Sequence, residues 1–132
     1  MLKSINMKAL IIDNERTYAV AMAEILTAAG FQAAILDSYD DALDHILNKE
    51  AAMVFAPAFC GGSDIGVLVS KIRSFEDPGA ARIPVICVSA IPMKDFFDTA
   101  CEIDLFGYIE KPVSAPEVII VARKAAFFYN CA

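Results

Sequence analysis

Five times along this chain a short apolar run is followed by a longer stretch of helical periodicity, and few folds accommodate that alternation. A run of about 4–8 apolar residues bounded by turn residues reads as a strand, and one that is apolar throughout reads as a strand covered on both faces. Met7 to Ile12 is the first, stopped by Asp13. Glu15 to Ala29 follows with Met22, Ile25, Leu26 and Ala29 at helical spacing, and Gly30 suits the position just past a helix end. Phe31 to Leu36 is the second strand, and Asp37-Ser38 leads into a helix whose Ala42, Leu43, Ile46 and Leu47 share one face. Ala52 to Ala56 is the third strand and Pro57 to Ser63 a loop. Asp64 to Phe75 is a helix facing inward through Ile65, Leu68, Val69 and Ile72, closed by the turn-rich Asp77-Pro78-Gly79. Ile83 to Val88 is the fourth strand, with a weaker helix from Pro92 to about Glu102. Phe106 to Ile109 is the fifth, and Ser114 can cap a last helix that tolerates Pro116 in its first turn.

Parallel strands joined by crossover helices predict an α/β fold, a doubly wound five-stranded parallel sheet with five helices on its two faces. In such folds the functional site lies beyond the carboxyl ends of the strands. The residues at those ends are Asp13, Asn14, Pro57, Ser89, Ala90 and Lys111.

A length of 132 residues fits one domain, with a core over about 7–128, and leaves no room for a separate effector domain. With 58% apolar and 21% charged residues the chain has ample material for a core. Its net charge of -6 repels nucleic-acid backbones and anionic lipid, so neither is an expected partner. The longest uncharged stretch, Ala51 to Ser63, is far shorter than the roughly 20 residues that span a bilayer. The apolar run after Lys8 is cut off by Asp13, too early for a signal-peptide core, which points to a cytoplasmic protein with Met7 as an alternative start. Cys60, Cys87, Cys101 and Cys131 are scattered, with only His45 to help build a metal site, and read as reduced thiols, two or three of them buried.

Four stretches together resemble the receiver domain of two-component response regulators: Ala9-Leu10-Ile11-Ile12-Asp13-Asn14-Glu15, Ala28-Ala29-Gly30-Phe31, Ile83-Pro84-Val85-Ile86-Cys87-Val88-Ser89-Ala90 and Gly107-Tyr108-Ile109-Glu110-Lys111-Pro112. The resemblance runs from residue 7 to about 128 and implies a flavodoxin-like fold with strand order 2-1-3-4-5. It also implies a phosphoryl acceptor aspartate at the end of the third strand, a magnesium ion held by acidic neighbours, and a lysine and a hydroxyl that bind phosphate oxygens. By that resemblance Ser89 matches the hydroxyl, Lys111 the lysine and Tyr108 the aromatic switch position, while Asp13-Asn14 keeps only one charge of the acidic pair. A cis bond at Lys111-Pro112 is implied as well.

The acceptor is missing. Counting back from Lys71-Ile72-Arg73 puts Pro57 at its position, and no Asp lies between Asp44 and Asp64. Proline can neither attack phosphorus nor donate a main-chain hydrogen bond. Where a standard site sets three carboxylates against one lysine, Asp13 and Lys111 sum to zero, so Asp13 is left as a weak candidate ligand and magnesium binding is expected to be lost or weak. Lys111 should instead pair with Asp13 in a semi-buried ion pair. Asp13, Asn14, Ser89 and Lys111 are then remnants of a phosphoryl site or a hydrogen-bonded scaffold. Tyr108 either toggles or simply packs.

Cys60-Gly61-Gly62-Ser63 superficially resembles an anion nest or a cysteine-phosphatase loop, but Gly66 stands where the latter needs arginine, and the glycines suit a turn. His45 reads as a solvated or boundary histidine. Apolar residues surround the last helix in Val118-Ile119-Ile120-Val121-Ala122 and Ala125-Ala126-Phe127-Phe128-Tyr129, more than one sheet face requires. With Phe96 and Phe97 of the fourth helix, Ile120, Phe127 and Phe128 are expected to form a face for a protein partner or a homodimer. The expected function is a stand-alone receiver-like signalling protein, not an enzyme and without a cofactor. The alternatives are a phosphorelay receiver modified at a non-standard residue and a flavodoxin-like small-ligand binder or enzyme, though the acids after strand one disfavour a flavin phosphate.

Overall fold

The computed structural model describes residues 7–48, 51–99 and 102–131. Along the chain the elements are β1 (Lys8–Ile12), α1 (Arg16–Ala28), β2 (Gln32–Leu36), α2 (Tyr39–Leu47), β3 (Met53–Ala56), β4 (Phe59–Cys60), β5 (Ser63–Asp64), α3 (Ile65–Arg73), α4 (Pro78–Ala81), β6 (Val85–Ser89), α5 (Met93–Thr99), β7 (Gly107–Glu110) and α6 (Ala115–Cys131). The five apolar runs form one parallel sheet in the order β2-β1-β3-β6-β7, the expected 2-1-3-4-5 arrangement once the two short strands β4 and β5 are set aside.

Side chains alternate across a strand, so each run feeds two cores. Leu10, Ile12, Val54, Ala56, Val85 and Cys87 pack on one face with residues of α2, α3 and α5. Ala9, Ile11, Met53, Phe55, Ile86 and Val88 pack on the other with residues of α1 and α6. Burial on both faces explains why these strands are apolar throughout.

The helix ends follow local chemistry. Gly30 takes φ 99° after α1, letting Phe31 N–H reach Leu26 O at 3.0 Å and Gly30 N–H reach Thr27 O at 3.1 Å, which satisfies the last carbonyls of the helix. The side chains of Ser38, Asp64, Asp77 and Ser114 accept main-chain N–H groups at the starts of α2, α3, α4 and α6.

Two features add to the expected plan. Asp77-Pro78-Gly79 reads in the sequence as a closing turn, yet Pro78–Ala81 makes a single helical turn because Asp77 caps it and proline suits its start, so the described residues form six helices where five are expected. The presumed loop Pro57 to Ser63 holds the antiparallel hairpin β4-β5, in which Phe59 faces Asp64 and Cys60 faces Ser63. Gly61 and Gly62 have φ of 57° and 82°, the backbone that a two-residue hairpin turn requires at both central positions. The fourth helix is described as far as Thr99, and Glu102 lies in the left-handed region at φ 69°.

Cys87 is buried and Cys60 half-buried, both as free thiols, whereas Cys101 and the Cys131 side chain lie outside the described residues. The His45 ring is half-buried and its Nδ1 lies 2.9 Å from Asp41 O. Lys111-Pro112 is cis, as the resemblance implied. Among the described residues no helix is long and apolar enough to cross a membrane.

Candidate functional site

Because all five sheet strands run parallel, their carboxyl ends converge on one edge. There Asp13, Asn14, Pro57, Ser89, Ala90 and Lys111 line a single depression of about 180 Å³, so the strand-end residues identified from sequence do meet.

Lys111 is its hub. Its Nζ donates to Asp13 Oδ1 at 3.1 Å and to Glu15 Oε1 at 3.0 Å, and lies 4.2 Å from the centroid of the Tyr18 ring. The side chains of Lys111 and Asp13 are only 9% and 4% exposed, whereas that of Glu15 is 63% exposed. The expected Asp13–Lys111 pair therefore forms, and it is more deeply buried than the semi-buried pair anticipated. Burial by itself pulls the Lys111 amine down, but hydrogen bonds and charge from Glu15 and Asp13 outweigh it and hold the amine above its ordinary value. Asp13 Oδ1 also accepts Glu15 N–H at 2.8 Å.

Other groups of the depression make bonds of their own. The Asn14 amide donates to Phe59 O at 3.1 Å, tying the β1–α1 loop to the hairpin. Pro57 closes β3 and is buried, and its carbonyl accepts the Tyr39 hydroxyl at 2.7 Å. Burial first, then the neighbouring Cys60, Cys87 and Asp64, drives the Tyr39 phenol well above its ordinary range. Ser89 Oγ accepts Ile91 N–H at 3.1 Å, and its main-chain carbonyl accepts Lys111 N–H at 2.9 Å.

Tyr108 lies away from the depression. Its hydroxyl donates to Ile91 O at 2.6 Å while its ring packs 5.1 Å from Phe96 and 5.8 Å from Phe97. Burial, only partly offset by the nearby Ser89 hydroxyl, raises its phenol above the ordinary value.

A divalent cation of the oxygen-loving kind seeks several free carboxylate or carbonyl oxygens. Asp13 Oδ1 is shared between an ammonium and a main-chain N–H, Asn14 turns its amide to the hairpin, and the Pro57 carbonyl already accepts a hydroxyl. Among the described residues no group of three or more His, Cys, Asp or Glu is arranged to hold a metal ion.

Glu15, Tyr18 and Tyr39 were not assigned to the site from sequence. Glu15 was visible as an acid next to Asp13-Asn14, but its partner is 96 residues away. Nothing local marks Tyr18 or Tyr39.

On the expected partner face, Phe96 needs correction. It is 4% exposed, wedged edge-on to Phe97 at 5.0 Å and tilted on Tyr108, because α5 turns this position toward the sheet. Phe97, Ile120, Phe127 and Phe128 are exposed, Phe127 most of all at 71%. Val118, Ala122, Ala125 and Ala126 supply the buried stripe of α6, so these other apolar residues of α6 lie outside it.

No protein-family model matches the chain. Over 117 residues, 88% of this chain, it is 26% identical to the nitrogen assimilation regulatory protein NtrX of Azorhizobium caulinodans, and it spans 25% of that protein's length. A response regulator receiver domain protein from Clostridium thermocellum superposes with a TM-score of 0.79 at 20% identity, over 95% of this chain and 98% of the other. NtrX from Brucella abortus superposes with a TM-score of 0.79 at 24% identity, over 96% of this chain and 28% of the other. The structural neighbours are response regulator receiver domains, and this chain has their fold.

Proposed function

We propose that this chain is a receiver-like signalling protein of the cytoplasm that is not phosphorylated in the usual way, is not an enzyme, and acts by binding other proteins. One observation carries the proposal: Pro57 ends β3, the strand whose end carries the acceptor in the resembled family, and its only polar atom, the carbonyl, is taken by Tyr39. Phosphoryl transfer to a side chain needs a nucleophile with a free electron pair within reach. Asp13 is a poor substitute, since the Oδ1 of its buried carboxylate is held by Lys111 and by Glu15 N–H. The Lys111 ammonium lies between Asp13 and Glu15, so Mg2+ finds few free oxygens there and binds weakly or not at all.

Signal output then rests on contact. The exposed Ile120, Phe127 and Phe128 of α6, with Phe97 of α5, form the face proposed for a protein partner or a second copy of the chain. Large exposed aromatics are favoured as anchors at such interfaces.

Intact-mass spectrometry after incubation with Mg2+ and acetyl phosphate tests the first part. No mass gain is expected. A labile gain of one phosphoryl group overturns it and makes Asp13, Ser63 and Asp64 the first residues to map.

A further inference from the structure

We propose that the hairpin beside Pro57 is a second docking surface, anchored by Phe59, for a cationic segment of a partner protein. This goes beyond the α6 face and stands whether or not that face binds anything.

The hairpin is rigid by construction. Gly61 and Gly62 close the tight turn, the Asn14 amide holds Phe59 O at 3.1 Å, Ile65 N–H holds Ala58 O at 2.8 Å, and Asp64 caps α3 through Val67 N–H at 3.2 Å. Phe59 is nonetheless 58% exposed and belongs to neither core. An isolated exposed phenylalanine is ordinary. This one sits on a backbone tied at its own carbonyl and at that of Ala58, beside the site of about 180 Å³ that it helps to line, and the rest of its hairpin borders a depression of about 120 Å³ toward α2. An aromatic carried on a hydrogen-bonded backbone beside concave surface suits an interface anchor, because the backbone has little freedom to lose on binding.

Charge selects the occupant. Glu15, Asp37, Asp40 and Asp64 are exposed at this end of the molecule. The buried Lys111 pairs with Asp13 and with Glu15, and Arg16 and Lys71 are exposed, so Asp37, Asp40 and Asp64 supply most of the acidic excess. The surface is acidic around an apolar anchor, so it complements a segment that sets an apolar residue among lysines or arginines. A second copy of the chain, itself carrying -6, is repelled there, and so is a nucleic acid.

The test is an unbiased peptide-display selection against the full chain. Enriched peptides are expected to carry Lys or Arg around an aliphatic or aromatic residue and to lose at least tenfold in affinity for Phe59→Ser. They should weaken with added salt and for Asp40→Asn, and bind Phe127→Ser as they bind the original chain. Amide-shift mapping on the unsubstituted protein reads the same answer without a variant, with the largest changes expected at Gly61, Gly62 and Asn14. Acidic or neutral peptides, unchanged affinity for Phe59→Ser, shifts centred on α6, or no enrichment at all overturns the proposal.

Discussion

A cation ties distant elements together at each end of the sheet, Arg73 at the amino end and Lys111 at the carboxyl end, and the two ties differ in kind. At the amino end Arg73 Nε meets Asp104 Oδ2 at 2.8 Å, and the same guanidinium donates to the carbonyls of Ala81 at 3.0 Å, Ile83 at 2.7 Å and Asp104 at 3.2 Å. At the carboxyl end the Lys111 ammonium meets side chains, namely the carboxylates of Asp13 and Glu15 and the Tyr18 ring. A planar guanidinium with five fixed donors suits several carbonyls at once, whereas an ammonium is a compact point charge. Arg73 therefore answers the path of the backbone, which no substitution removes. Lys111 answers residue types, so its role exists only while Asp13 and Glu15 keep their charges.

That difference sets the sharpest experiment. Lys111→Met strands the buried Asp13 carboxylate, and breaking a buried pair from one side costs about 3–5 kcal/mol, to be read in urea denaturation. Adding Asp13→Asn to that variant removes the stranded charge and should restore most of the loss, a coupling measurable in a double-mutant cycle. No restoration would mean that Lys111 stabilises mainly through Tyr18 and packing. Arg73→Ala should cost less, about 2–3 kcal/mol, by leaving the Ala81 and Ile83 carbonyls short of a donor. Here Asp104→Asn should rescue little, because the carbonyls remain. A full rescue would erase the distinction between the two ends.

A further effect is alkaline. Burial pushes the Cys87 thiol from its ordinary 9.0 up to about 12, and Tyr39, Tyr108 and Lys111 are all shifted upward too. Above pH 9 the unfolded chain gives up the Cys87 proton while the folded chain keeps it, so the folded state binds more protons and stability falls as pH rises. The contribution is whole below about pH 9 and disappears through about pH 12, with a slope of about 1.4 kcal/mol per pH unit for each fully shifted group. Stability against pH should thus be free of these four groups near neutrality and decline from pH 9 upward. Cys87→Ala should flatten the first part of that decline. An undiminished slope in that variant would assign it to Tyr39, Tyr108 and Lys111.

Much of this molecule was legible because its cues are local. Periodicity marked the five strands and the long helices, Gly30 and Ser114 marked helix ends that the structure reproduces, and strand ends brought Asp13, Asn14, Pro57, Ser89 and Lys111 together. Where cues are short or long-range, reading failed. Strands of two residues carry no period, so β4 and β5 look like loop in the sequence although the glycine pair fits their turn. Phe96 and Phe97 are adjacent and chemically identical, and only the seating of α5 on the sheet buries one and exposes the other.

By itself the sequence determined the architecture and the proline that follows the third strand, since hydrophobic period and residue identity are properties of the chain alone. Which groups neutralise Asp13, what holds the Pro57 carbonyl and where Phe59 points were decided by tertiary structure. Those outcomes depend on side chains far apart in sequence meeting at one edge of a parallel sheet, where burial makes each unpaired charge or carbonyl costly enough to select its partner.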